Sequence, residues 1–144
     1  VEIKTSKAGV PNVYISNEHQ LDYTVWENLY LGVISLNESA GNDNTLTSLI
    51  QEITEILEDR TDLLQIFKEK LSLVGVPAEM IDSYNDINYI IRRKFFYKVE
   101  KNFPLIIPTI LANEALFNVK YQIDINSCKS FEVKEEEVLI TYYG

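Results

Sequence analysis

The chain has 144 residues, 46% of them apolar, which predicts one domain over residues 1–144 with a single buried core. The net charge of −9 argues against non-specific nucleic-acid binding by the whole surface, although it is compatible with a local basic patch. No long apolar run or basic-then-apolar leader supports membrane insertion or secretion. The single cysteine, Cys128, excludes an intrachain disulfide and suits a reducing cytoplasm.

The first residues predict a strand in which Glu2 and Lys4 stand side by side, with Ile3 buried behind them. A carboxylate next to an ammonium is suited to phosphodiester hydrolysis. The acid can hold a hard divalent cation, and the lysine can orient a water molecule and offset phosphate charge. The alternative is a surface ion pair, since the E-x-K spacing alone is weak evidence.

A second E-x-K triplet provides a comparison within the same sequence. Glu132-Val133-Lys134 has the same spacing but is followed by three more glutamates, at residues 135–137. These carboxylates would repel a phosphodiester and compete for a metal ion, so we interpret the segment as a solvated acidic face.

The first third of the chain predicts mostly β-structure. Residues 13–15 indicate a second short strand, and Ser16 is a plausible N-cap for a brief helix ending at Leu21. Residues 29–36 form a nearly continuous apolar run, typical of a buried central strand. Residues 37–44 contain a glycine and three asparagines and predict a loop.

Two helices are predicted next. The first begins near Thr45, and its apolar residues form one stripe, at positions 46, 49, 50, 53, 56 and 57. The second begins with Thr61 as its cap and ends at Gly75, with positions 63, 64, 67, 71 and 74 facing inward. Residues 77–84 predict a short third helix.

The last third returns to a period of two. Residues 89–99 and 119–125 predict strands, and residues 103–113 predict an irregular crossing because they contain two prolines. Residues 138–143 predict a last strand or a tail. The chain therefore mixes α and β elements, with helices inserted between strands.

The predicted strand over 89–99 contains most of a basic cluster, interleaved with aromatic residues. Arg92, Lys94 and Lys98 alternate along one face, where their charges could follow a phosphate backbone and so bind nucleic acid. The alternative is an exposed strand that balances an acidic surface through ion pairs.

Two single residues also have two interpretations. His19 could be a general base or a phosphate contact, or simply a partly exposed surface residue. Cys128 could be a nucleophile, but with one histidine in the chain it is better interpreted as a small buried side chain.

Several segments resemble the PD-(D/E)XK motif proteins, a bacterial family of the restriction-endonuclease-like superfamily. These segments are Val1-Glu2-Ile3-Lys4-Thr5, Ile15-Ser16-Asn17-Glu18 leading to Gln20-Leu21-Asp22, and Asn28-Leu29-Tyr30-Leu31. Residues 119–125, with Cys128, Phe131 and Val133, look like the C-terminal region of the family. The resemblance covers most of the chain and begins at the strand that carries the second half of the motif.

The resemblance implies an α/β fold with a restriction-endonuclease-like core, truncated at its N-terminus, and an inserted helical pair. It also implies a Mg²⁺-dependent DNA endonuclease with a role in restriction or phage defence. Glu2 would be a metal ligand, and the carbonyl of Ile3 a further candidate ligand. Lys4 would be the motif lysine, and Gln20 the polar residue at the start of the following helix.

The first motif aspartate has no counterpart, and the chain begins with valine rather than methionine. We therefore expect the C-terminal part of a longer nuclease domain that is inactive by itself, because one carboxylate holds Mg²⁺ poorly. Cleavage of both DNA strands would favour a homodimer. The alternatives are a catalytically inert DNA-binding or protein-interaction module, and an acidic adaptor without a nucleic-acid role.

Overall fold

The computed structural model describes residues 1–41, 44–111 and 115–144 and contains both strands and helices. Its strands are β1 (Glu2–Lys7), β2 (Asn12–Ile15), β3 (Tyr30–Ala40), β4 (Ile87–Lys98), β5 (Tyr121–Asp124) and β6 (Glu132–Val133). Its α-helices are α1 (Leu46–Ile56), α2 (Thr61–Leu73), α3 (Pro108–Leu111) and α4 (Glu135–Tyr143). Two 3₁₀ helices cover Ala78–Tyr84 and Ile125–Phe131. The mixed α/β fold class is confirmed.

The strands form one sheet of four and one of two. The larger sheet has the order β1-β3-β4-β6, with β1 parallel to β3 and β4 antiparallel to β6. The smaller sheet pairs β2 with β5 in antiparallel orientation. Strand β1 is at the edge of the larger sheet, so one side of its backbone has no strand partner within the described residues.

The chain divides into two compact units, and the single-domain expectation stays a prediction. The sheet unit comprises Val1–Leu36 and Ile91–Gly144, and the helical unit comprises Asn37–Ile90. The sheet unit contains a cluster of buried side chains that includes Val13, Ile15, Leu31 and Tyr97. In β2 the buried residues alternate with exposed Asn12 and Tyr14, as the period of a strand requires.

The helical unit contains α1, α2 and the first of the 3₁₀ helices. Helix α1 begins with a capping box in which Thr45 and Ser48 exchange side-chain hydrogen bonds with each other's backbone N–H. Helix α2 ends just before Gly75, whose φ of +86° is the left-handed conformation that glycine tolerates best. The predicted helical pair and its C-terminal stop are therefore confirmed.

Some predicted elements are wrong for identifiable reasons. Residues 17–21 form turns rather than a helix, because the Asn17 side chain accepts from the His19 N–H and offers the backbone a local alternative. Residues 37–40 extend β3 instead of starting a loop, and Asn42 and Asp43 of that predicted loop lie outside the described residues. Thr61 is the first helical residue of α2, and Arg60 precedes it without a side-chain cap.

The end of the chain also differs from the prediction. Residues 135–143 form α4, not a strand or a tail. Three glutamates occupy its first turn, where their negative charge is favourable next to the free N–H groups. The predicted crossing over 103–113 contains the short helix α3, which starts at Pro108, and its residues 112 and 113 lie outside the described ranges.

The predicted inward faces of α1 and α2 are only partly buried. In α1 the fully buried side chains are Thr47 and Ile50, whereas Ile53 and Ile56 are exposed. In α2 no residue is buried, and Val74, which directly follows the helix, is 75% exposed. None of the helices in the described ranges has the length and apolar character that spanning a bilayer requires.

Candidate active site

The structure brings together three residues that the sequence proposed as catalytic. The Lys4 Nζ lies 3.0 Å from Glu2 Oε1 and donates a hydrogen bond of 3.0 Å to Gln20 Oε1. The two charged side chains are partly covered, since Lys4 is 15% exposed and Glu2 28% exposed. Lys4 therefore has a defined position between a carboxylate and an amide oxygen, unlike a freely rotating surface lysine.

Gln20 is oriented by a second hydrogen bond. Its Oε1 also accepts from the backbone N–H of Ser16 at 2.8 Å. Both partners of this oxygen are donors, so the carbonyl end of the amide must face them, and the NH₂ end points away. Gln20 lies next to the Glu2–Lys4 pair, but it is in a turn and not at the start of the expected helix.

The position of Ile3 contradicts the sequence expectation. Its side chain is 49% exposed, not buried behind Glu2 and Lys4. It lies over Gly32, its register partner in β3, where a Cβ would come within 2.6 Å of Ile3 Cδ1. At this edge strand it is Glu2 and Lys4 that are partly covered, because they point to the face of the buried Leu31 and Val33.

The basic residues of β4 lie on the other face of the sheet. A Cβ added to Gly32 would lie 2.6 Å from Ile3 Cδ1 and 3.1 Å from the Phe96 ring. Phe96 and Ile3 therefore lie on the same face of the sheet. Lys94 and Lys98 are each two positions from Phe96, so they lie on its face of the strand. The buried Tyr97 faces the opposite side. The structure separates the predicted nucleic-acid-binding residues from Glu2, Lys4 and Gln20.

Two of these basic residues are engaged in ion pairs. Lys94 Nζ lies 3.1 Å from Glu135 Oε1, and Lys98 Nζ lies 3.9 Å from Glu100 Oε2. Arg92 is exposed on the same strand face. The pairs are solvent-exposed and so contribute little to stability. An open cleft of about 490 Å³ adjoins Lys94, and glutamates 132, 135 and 136 are among its lining residues.

Glu18 is a buried carboxylate whose role the sequence did not reveal. It is 5% exposed, and its oxygens accept hydrogen bonds from the backbone N–H groups of Asn118 (3.2 Å) and Val119 (2.8 Å). The pKa of this carboxyl is lowered, and the largest cause is a hydrogen bond from the Glu18 backbone N–H. The hydrogen bonds from Val119 and Asn118 and the nearby His19 lower the pKa further, although desolvation opposes the shift. Its partners are about a hundred positions away, so no local pattern could have identified them.

His19 and Cys128 have positions that favour their ordinary interpretations. The His19 side chain is 71% exposed, with Nε2 3.5 Å from Glu18 Oε1. Cys128 is fully buried, and burial, with a smaller contribution from Asp124, raises the pKa of its thiol to about 11. A thiol with this pKa is almost entirely protonated at neutral pH and is a poor nucleophile.

The described residues do not form a complete metal site. Within residues 1–41, 44–111 and 115–144 there is no group of three or more His, Cys, Asp or Glu side chains that could hold a metal ion. Glu2 offers the hard oxygen that Mg²⁺ prefers, but one of its oxygens already faces the Lys4 ammonium. The donor set is therefore of the right chemical type but too small for Mg²⁺.

The mixed sheet of the α/β fold carries an acid and a lysine side by side on its edge strand β1. The family described as "Putative PD-(D/E)XK family member" (DUF4420) matches residues 1–126, and the chain belongs to this family. No curated protein and no solved structure matches the chain. The family match ends just before the region that contains Cys128, β6 and α4.

Proposed function

We propose that the chain supplies the E-x-K half of a Mg²⁺-dependent DNA endonuclease of the PD-(D/E)XK type. Glu2 would be one metal ligand, the Ile3 carbonyl a candidate second, and Lys4 the catalytic lysine. The observation that carries the proposal is the fixed position of Lys4 between Glu2 and Gln20, at 3.0 Å from each. Membership of the family points to the same chemistry.

In this proposal, the remaining metal ligands come from outside the 144 residues. The 144 residues contain an E-x-K triplet at residues 2–4 but no Pro-Asp pair, the other half of the motif. We propose that an upstream part of a longer polypeptide provides the missing acid on a neighbouring strand. The chain alone is then inactive, because Mg²⁺ needs about six oxygen ligands and the described donors are too few.

Lys4 can act on a phosphodiester without further rearrangement of its neighbours. An ammonium has three N–H donors, and two of them are directed to Glu2 and Gln20. The third can donate to a phosphate oxygen and stabilise the negative charge that increases in the transition state. Gln20 is a positioning residue in this scheme, since its oxygen holds Lys4 and is itself held by Ser16.

The basic residues of β4 would have a separate role. Arg92, Lys94 and Lys98 face away from the Glu2–Lys4 pair, so they would contact phosphates other than the one that is cleaved. Such contacts position a nucleic acid without reading its sequence. A role in restriction or phage defence, and a dimer that cuts both strands, belong to the same proposal.

A nuclease assay on the full-length protein that carries this chain tests the proposal. Supercoiled plasmid is incubated with Mg²⁺ and wild-type protein, the Lys4→Ala variant or the Lys7→Ala variant. Lys7 is the matched control because it is a lysine of the same strand that faces the other side. We expect Lys4→Ala to lower the cleavage rate about 100-fold or more, and Lys7→Ala to leave it unchanged.

Two results would count against this assignment. If Lys4→Ala is folded by circular dichroism and still cuts like the wild type, Glu2 and Lys4 are not the active site. If both lysine variants lose activity equally, the effect reflects the charge of β1 rather than the position of Lys4. A separate assay of residues 1–144 alone should show no cleavage.

A catalytically inert DNA-binding module is the second candidate, favoured by the incomplete metal donor set of the described residues. In that case the wild-type protein is folded and cuts neither DNA nor RNA, yet binds DNA with steep salt dependence. Changing Arg92 and Lys94 to alanine should then weaken binding and reduce the salt dependence. Absence of both cleavage and DNA binding would instead favour an acidic adaptor.

A further inference from the structure

Helix α1 is held with its threonine side inward. Thr45, completely buried, caps the helix, and Thr47 is 2% exposed and donates a hydrogen bond to the carbonyl of Ile81 in the first 3₁₀ helix. Asn44, just before the cap, accepts from the Tyr89 N–H and donates to the Tyr89 carbonyl. These polar contacts set the rotation of α1 about its axis.

The consequence of this rotation is a partly exposed apolar stripe. Leu49 is 40% exposed, Ile53 39% and Ile56 72%, and their spacing of four and three residues places them in one row. The row is about 10 Å long, at 1.5 Å per residue. Its position on the outside is unexpected, because these same residues were predicted to face the core.

Carboxylates border the stripe. Glu52 and Glu55 are exposed on the same helix, and neither is in an ion pair within the described part of the chain. The helical unit as a whole has eleven Asp and Glu against three Lys and Arg, a net charge of −8. An apolar row on so acidic a surface favours a partner that is both apolar and positively charged.

We propose that the Leu49–Ile53–Ile56 stripe of α1 is a docking surface for a basic amphipathic helix of a partner protein. The partner helix would place apolar residues three and four positions apart onto the stripe, with Lys or Arg beside Glu52 and Glu55. The charge of −8 disfavours two other occupants. A second copy of this unit would be repelled by like charge, and so would a nucleic acid.

Peptide binding to the 144-residue chain tests the docking surface. One fluorescent probe is a helical peptide with leucines at positions i, i+3, i+4 and i+7 and lysines at the other positions. A second probe has glutamates in place of the lysines. Fluorescence anisotropy should show binding of the lysine probe, weaker at higher salt, and no binding of the glutamate probe.

A matched pair of variants locates the binding. Ile56→Ser removes an isoleucine that is 72% exposed in the stripe, and Ile140→Ser removes one that is 69% exposed in α4. We expect Ile56→Ser to raise the Kd of the lysine probe at least 10-fold and Ile140→Ser to leave it unchanged. Changing Glu52 and Glu55 to glutamine should weaken binding and reduce its salt dependence.

Several outcomes would overturn the proposal. These are failure of the lysine probe to bind, equal effects of the two serine variants, or equal binding of the glutamate probe. Concentration-dependent dimerisation in analytical ultracentrifugation, abolished by Ile56→Ser, would identify a second copy as the occupant and also overturn it. None of these measurements depends on nuclease activity, so their result is independent of the function proposed for Glu2 and Lys4.

Discussion

The sheet unit and the helical unit are stabilised in different ways. The sheet unit has a cluster of twelve buried side chains, including Leu31 and Tyr97. In the described part of the helical unit the buried residues are Thr45, Thr47 and Ile50, of which Ile50 alone is apolar. Hydrophobic burial therefore dominates in the first unit, whereas hydrogen bonds of buried threonines have a larger share in the second.

The units also differ in charge. The sheet unit has eleven Asp and Glu against ten Lys and Arg, a net charge of −1, whereas the helical unit has −8. The whole-chain value of −9 therefore describes almost only the helical unit. A charge argument against nucleic-acid binding applies to that unit and not to the sheet unit, which contains Lys4 and the basic residues of β4.

The largest expected effect comes from a pair of leucine substitutions, one in each unit. Leu31→Ala in the sheet unit removes a fully buried side chain and should lower the free energy of unfolding by about 2–5 kcal/mol. Leu73→Ala in the helical unit removes one that is 85% exposed and should change it by about 0.5 kcal/mol or less. Urea unfolding followed by circular dichroism measures both, and similar losses would refute the difference in burial.

A second substitution tests the polar anchor of the helical unit. Thr47→Val keeps the shape of the side chain but removes the hydrogen bond to the Ile81 carbonyl, so unfolding should become easier by about 1–3 kcal/mol. Thr61→Val, at an exposed position of α2, is the control and should have a much smaller effect. Equal stabilities of the two variants would show that the Thr47 hydrogen bond is unimportant.

A third prediction concerns the pH dependence of Glu18 in the sheet unit. Because the folded-state pKa lies below its ordinary value of 4.5, the charged form stabilises the fold above that pH. This contribution is lost as the pH falls through the lowered pKa. Glu18→Gln should therefore reduce the melting temperature at pH 7, and its difference from the wild type should shrink at pH values below 4.5.

The control for Glu18 is the exposed Glu52 of the helical unit. Glu52→Gln removes the same charge without breaking hydrogen bonds to buried N–H groups, so its melting temperature should follow that of the wild type at every pH. A constant difference between Glu18→Gln and the wild type across this range would contradict the assigned role of the carboxylate.

The smallest expected effect concerns DNA affinity. Glu135→Gln releases Lys94 from its ion pair and should strengthen DNA binding by about twofold to fivefold, the range of an exposed ion pair. Glu52→Gln makes the same change of charge in the helical unit and should have less effect. Fluorescence anisotropy at low salt distinguishes the two variants, and an equal gain for both would mean that only net charge matters.

Local patterns predicted much of the secondary structure. The alternation in residues 13–15, the apolar run over 29–36 and the caps around Thr45 and Gly75 each gave the correct type of element. The turn at 17–21 was missed because side-chain hydrogen bonds of Asn17 and Gln20 replaced helical ones. Such competition between side chain and backbone depends on geometry that periodicity does not contain.

The candidate site was predictable in part. The side-by-side arrangement of Glu2 and Lys4 follows from the period of a strand, and resemblance to a family added Gln20. Three features of the site depend on partners that are distant in the sequence. They are the exposure of Ile3, the position of Lys94 on the sheet face opposite Lys4, and the burial of Glu18. These partners are Gly32, β3 and residues 118–119, respectively.

By itself the sequence determined the α/β class, the family and the adjacency of an acid and a lysine, because these depend on composition and short spacings. Only the tertiary structure decided which face of each element is covered. It turned α1 so that Thr47 rather than Ile53 lies inward, and it placed the basic strand opposite the Glu2–Lys4 pair. Burial is a property of neighbours brought together by folding, and these neighbours are distant in the sequence.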